Sequence, residues 1–80
     1  MTPLQLRLAR TALKMGVRDL AAETGITANT ISRIENGNDA KQSTVDQLRR
    51  VLESHGIEFI NTAEREGVVR LRKTNSGILW

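Results

Sequence analysis

The sequence predicts a mainly α-helical domain closed by a C-terminal β-hairpin. Apolar residues recur at helical spacing from Leu6 to Leu52, and glycine-containing breaks divide that stretch into short helices. After Gly56 the period shortens into the β-branched, apolar runs IEFIN and VVRLRK. At 80 residues the chain has room for one small domain. A domain of this size buries only about 60% of its unfolded surface, so the elements must share one compact core.

Residues Thr2 to Lys14 read as the first helix. Thr2 and Gln5 have capping-box spacing, Pro3 falls at the first helical position, and Leu6, Ala9 and Leu13 form an apolar stripe. Arg7, Arg10 and Lys14 repeat the same spacing on a neighbouring face. Gly16 interrupts the pattern, and Val17 to Thr24 resumes it as a second helix, with Asp19 in the first turn where the helix dipole favours an anion. Gly25 breaks the chain again. Thr27 is a good N-cap for a third helix running to Glu35, with Ile31 and Ile34 on one side and Asn36-Gly37 as its stop.

Asn38 to Gln42 reads as a polar loop. Ser43 with Asp46 has the pattern of a further cap, and Val45, Leu48 and Leu52 form the stripe of a fourth helix closed by His55-Gly56. The polar stretch Thr62 to Gly67 separates the two β runs into a hairpin, and the tail TNSGILW ends in an apolar cluster. The chain thus divides into a helical part, residues 1–56, and a hairpin with tail, residues 57–80.

Composition excludes several function classes. Cysteine is absent and the one histidine, His55, cannot build a metal site alone, so no metal or cofactor is expected. One Phe, one Trp and no Tyr leave no aromatic platform for single-stranded nucleic acid. No apolar run approaches the roughly 18 residues of a membrane span and no signal-like apolar region opens the chain, so a soluble, cytoplasmic protein without a membrane partner is expected. The net charge of +3 permits nucleic acid or acidic partners without demanding either. An enzyme is not expected, because no nucleophile–base pair, metal cluster or glycine-rich phosphate loop is present.

The run VRDLAAETGITANTISRI meets the demands of two short helices crossing steeply over a tight turn. Ala21 is small where the helices cross, Gly25 can take positive φ, and Leu20, Ile26, Ile31 and Ile34 supply a shared core. Such a unit presents the N-terminal half of the helix after Thr27 outward, where side chains can enter a B-DNA major groove.

On Arg10, the run LAAETGITANTISRIENG and the following STVDQLRRVL, the span from about Leu6 to Leu52 resembles the lambda-type repressor and Cro helix-turn-helix family, also called the XRE family. The resemblance implies a compact four- or five-helix domain that binds double-stranded DNA, mostly as a dimeric transcriptional repressor or regulator. It also implies an internal ion pair between Arg10 and Glu35 that fixes the reading helix. The chain departs from the pattern at Val17, where many members carry a phosphate-binding Gln, and at Thr24, where an apolar residue is common. Arg18 is expected to take over the phosphate contact.

Ala28, Asn29, Ser32 and Arg33 share the side of the third helix away from Ile31 and Ile34, and are the candidate base readers. Arg33 has the donors for guanine O6 and N7, Asn29 the pair for adenine N6 and N7, and Ala28 a methyl for thymine; the plainer reading is a solvated polar face. Arg18, Thr27, Asn36 and Lys41 are the candidate phosphate contacts. Their bland alternatives are a helix cap for Thr27, a helix stop for Asn36 and a solvated cation for the other two. Arg70, Arg72 and Lys73 read as a solvated face, with a second phosphate contact as the sharper alternative.

An isolated two-stranded ribbon is marginal in water and its edges seek another strand, and Cro-like proteins use C-terminal strands to dimerise. The hairpin is therefore expected to build a two-fold interface in a homodimer, with Ile57, Phe59, Val69 and Leu71 inward and Trp80 packing over it. The rival reading is a protein-interaction module, such as an antitoxin or accessory subunit, that binds a protein partner through the hairpin and tail.

Overall fold

The structure, a computed structural model, describes residues 1–72. Among them lie α1 (Pro3–Ala12), α2 (Val17–Thr24), α3 (Ala28–Glu35) and α4 (Gln42–Ser54), then an antiparallel pair, β1 (Ile57–Asn61) and β2 (Glu66–Arg70). This is the mainly helical architecture with a C-terminal hairpin that the sequence predicts. Leu6 and Ala9 of α1, Leu20 of α2, Ile31 and Ile34 of α3, Leu48 and Leu52 of α4, and Ile57 of β1 form one buried core. Every element except β2 thus places a buried apolar side chain in the same cluster. The change from helix to strand at residue 56 falls within that core, because Ile57 belongs to it.

Thr2 and Gln5 form the predicted capping box, with Gln5 N–H donating to Thr2 Oγ1 at 3.1 Å and Thr2 N–H to Gln5 Oε1 at 3.0 Å. The first helix ends at Ala12 rather than Lys14. Lys14 takes a left-handed φ of 58°, and the N–H groups of Lys14 and Met15 donate back to the carbonyls of Thr11 and Arg10. Lys14 therefore does not continue the row of Arg7 and Arg10. The fourth helix starts one residue earlier than its expected cap. Its first turn closes on the carbonyl of Lys41, Ser43 lies inside the helix, and Asp46 instead accepts from Gln42 Nε2 at 2.9 Å.

The hairpin pairs Ile57 with Arg70, Phe59 with Val68 and Ile60 with Gly67. Its turn is tightened by Thr62, whose Oγ1 accepts the N–H of Arg65 at 3.0 Å and whose own N–H reaches Arg65 O at 2.7 Å. One face, carrying Ile57, Phe59 and Val68, packs on the helices. Gln5 holds it there: the side chain is fully buried, and its Nε2 donates to Ile60 O at 2.7 Å and to Gly67 O at 3.1 Å, one carbonyl from each strand. Each such bond contributes about 0.5–1.5 kcal/mol, so one glutamine both caps α1 and anchors the hairpin. Phe59 is further covered by Arg49, whose guanidinium lies 5.6 Å from the ring centre.

Candidate nucleic-acid interface

Three residues, Gly25 to Thr27, separate α2 from α3. Gly25 adopts φ of 76° and its N–H caps α2 on Ala21 O at 2.9 Å, so the left-handed bend read from the sequence is present. Thr24 is buried, and its hydroxyl is satisfied locally, donating to Leu20 O at 2.8 Å and accepting the N–H of Ile26 at 3.1 Å. That double bond explains how a threonine occupies an interior position without an orphaned polar atom. Gln47 of α4 donates its side-chain amide to Thr24 O, tying the turn to the rest of the domain.

The third helix opens at Thr27, whose Oγ1 accepts the N–H of Thr30 at 3.3 Å and bonds the Thr30 hydroxyl at 2.9 Å. Its buried side is Ile31 and Ile34. On the opposite side Asn29, Arg33 and Asn36 are exposed at i, i+4 and i+7, an unbroken polar line along the helix, while Ala28 and Ser32 form a half-buried flank. Among the described residues, no ion pair engages the Arg33 guanidinium. The helix ends at Glu35 with Asn36 as its C-cap, and Asn38 seals it with two bonds to Arg33 O, from the main-chain N–H at 2.9 Å and from Nδ2 at 3.0 Å.

The pose of α3 is fixed by the ion pair the resemblance implies. Arg10 Nε donates to Glu35 Oε2 at 2.7 Å and Nη2 to Glu35 Oε1 at 3.0 Å, a bidentate fork, and Nη1 reaches Met15 O at 3.1 Å. The Glu35 side chain is 5% exposed and that of Arg10 18%. The hydrogen bond to Glu35 raises the Arg10 pKa further above its already high ordinary value, against the opposing pull of burial. Arg7 adds a longer, exposed contact to the same carboxylate at 3.5 Å.

Arg18 in the first turn of α2, Thr27 and Asn36 at the two ends of α3, and Lys41 at the N-cap of α4 are all exposed. The expected interface set on the hairpin is not brought together. Ile57 is 3% exposed and belongs to the protomer's own core, and Phe59 packs against that core, so neither points outward. Val69 lies opposite Glu58, on the other face of the ribbon from Ile57 and Phe59, because side chains alternate along a strand. Val69 and Leu71 remain 40% and 54% exposed. Trp80 and Lys73 lie outside the described residues.

Sequence reasoning missed Gln47, Asn38, the hairpin contacts of Gln5, and the bond from His55 to Glu23. The His55 Nε2–H donates to the Glu23 carboxylate at 2.6 Å, joining α4 to α2. Gln5 was findable in part, since it shares the buried stripe of Ala9 at helical spacing. Among the described residues no His, Cys, Asp or Glu cluster suited to a metal ion occurs, and no helix is long and apolar enough to cross a membrane.

No curated protein and no solved structure matches the chain. The helix-turn-helix family model HTH_3 matches residues 6–59, which takes in most of α1, the whole of α2, α3 and α4, and the first three residues of β1. That family is one of DNA-binding transcription regulators rather than of enzymes. With α2 and α3 joined by a three-residue turn, its glycine bend and the Arg10–Glu35 pin in place, the chain belongs to the HTH_3 helix-turn-helix family of lambda-type, or XRE, DNA-binding proteins.

Proposed function

We propose that the protein is a sequence-specific, homodimeric repressor that reads an inverted repeat in double-stranded DNA with α3 in the major groove, acting in the cytoplasm by occluding a promoter. The observation that carries this reading is the exposed line Asn29–Arg33–Asn36 on a helix whose other side is locked into the core and pinned by Arg10. Asn29 and Arg33 read base edges, and Ala28 and Ser32 contact the groove beside them. Arg18, Thr27, Asn36 and Lys41 meet phosphates and set the register. The dimer forms on the open face of the hairpin, where Val69 and Leu71 are exposed and Ile60 is half-buried.

A two-fold dimer places its reading helices about 34 Å apart, so selection from a random duplex pool followed by footprinting is expected to return half-sites roughly 10 bp apart, centre to centre. Recovery of no common word would remove the reading. Arg33→Ala is expected to lose about 1–3 kcal/mol of discrimination at one base position, whereas Arg18→Ala weakens all duplexes alike. A second reading, a protein-binding module, draws on the same exposed apolar side chains together with Leu4 and Leu8 of α1, which are 48% and 37% exposed. It predicts a stable heteromeric complex and little salt-sensitive DNA binding.

A further inference from the structure

Among the described residues, Lys14 alone of those with a side chain takes a left-handed backbone, with φ of 58°. That conformation is rare for a residue with a Cβ and costs free energy that glycine would not. The loop gives Lys14 no room to relax. Its N–H donates to Thr11 O at 2.9 Å, the Met15 N–H donates to Arg10 O at 2.9 Å, and Met15 O in turn accepts Arg10 Nη1 at 3.1 Å. Leu13 and Met15, on either side, pack against the core, whereas Lys14 is exposed. A strained backbone thus roots one cation at a fixed point on the surface, where a neutral glycine would fold with less strain.

That point adjoins the start of α2. In a helix-turn-helix unit the first helix crosses the sugar–phosphate backbone while the second lies in the groove. Here α2 is the crossing helix, and Lys14 stands three residues before it and four before Arg18. From Lys14 to Thr24 the charged residues are Lys14, Arg18, Asp19 and Glu23. Glu23 is engaged by His55 at 2.6 Å, and Asp19 accepts the Gly16 N–H at 2.8 Å but stays exposed. Without Lys14 the opening of α2 would carry one cation and one anion, Arg18 and Asp19, and offer a polyanion no net attraction. Lys14 makes it positive. Among the described residues no ion pair engages Lys14. A lysine ammonium is a compact point charge on a flexible stem, suited to a phosphate oxygen without strict orientation.

We propose that Lys14 is a phosphate-binding residue of the DNA interface, and that this charge accounts for lysine at a position glycine would fill with less strain. The assignment rests on the DNA-reading role of α3 proposed above. Lys14 and Arg18 neutralise the backbone that α2 crosses, and they hold the register of α3 without reading sequence themselves.

Stability and binding are expected to move in opposite directions. Lys14→Gly should raise the urea midpoint, yet make the log–log salt slope of duplex binding shallower by about one for each chain bound, on selected and random duplexes alike. Lys14→Gln keeps the strained Cβ but loses the charge, and should show the same loss of slope with no gain in midpoint. Lys14→Arg should keep the wild-type slope. Fluorescence anisotropy over a salt series reads the slopes, and urea unfolding of the same samples reads the midpoints. Wild-type slopes in both Lys14→Gly and Lys14→Gln, with the wild-type chain binding its selected duplex, would overturn the Lys14 contact alone. So would a slope lost in Lys14→Gly but kept in Lys14→Gln, which assigns the effect to the backbone rather than the charge. Should the wild-type chain bind no duplex in a salt-sensitive way, the reading of α3 falls first and this contact with it.

Discussion

Gly25 and Gly56 both hold positive φ, at 76° and 90°, but an added methyl group meets different surroundings at each. At Gly25 nothing lies within 4 Å, so Gly25→Ala pays only the left-handed backbone penalty, about 1–2 kcal/mol. At Gly56 the methyl would sit 2.9 Å from Leu71 O, a main-chain atom of the segment paired to it. Urea unfolding is expected to show Gly56→Ala as clearly the costlier change; equal costs would mean that the hairpin yields freely at this joint. Lys14 is the opposite case, a side chain where glycine is favoured. Lys14→Gly should stabilise by about 0.5–1 kcal/mol, seen as a higher urea midpoint with an unchanged slope. Both glycine breaks were legible as punctuation, but which one is sterically closed depends on a residue fifteen positions away.

Among the elements, α1 and α3 are joined by one part-buried, bidentate ion pair, whose Glu35 side chain is almost wholly covered, and one exposed contact. Arg10→Met or Glu35→Gln is expected to cost about 3–5 kcal/mol, because each strands a desolvated group. The Arg10→Met, Glu35→Met double variant should cost less than the sum of the single losses, and Arg7→Ala only about 0–1 kcal/mol. A double-mutant cycle in thermal or urea unfolding measures the coupling, and additivity would show the pair to be mere juxtaposition. The Arg10 pKa is raised, so its contribution is fully present below the ordinary arginine value and fades only at higher pH still. Stability from this side of the pair is therefore flat from neutral to mildly alkaline conditions. Caps at Thr2 and Thr27 were readable because they are local, three residues from their donors. The C-terminal end of α1 and the start of α4 were not, because Lys14 and Lys41 lack the side chains that usually mark such positions.

For the whole molecule, a dimer that neutralises on the order of six to eight phosphates should lose affinity with salt at a log–log slope of about −5 to −7. Fluorescence anisotropy over a salt series on specific and random duplexes checks this, and a slope near that of a single contact would leave the phosphate assignments without support. The hairpin illustrates what whole-molecule packing adds. Read alone, Ile57, Phe59, Val69 and Leu71 looked like one apolar surface, but register and burial send the first two inward and leave the last two exposed. Ile57 fills the core that four short helices leave incomplete, and Gln5 fastens both strands above it.

The sequence by itself determined the order and type of the elements, the glycine bend, most of the core and the polar line of α3. These depend on period, caps and turn chemistry, which act within a few residues. Only the tertiary structure decided where Gln5, Gln47 and His55 find partners, which face of the hairpin is covered, and which glycine is sterically closed. Those outcomes join side chains to partners 23 to 62 residues away, bring a glycine against a carbonyl fifteen positions on, or set one strand's register against another, and no local pattern carries that information.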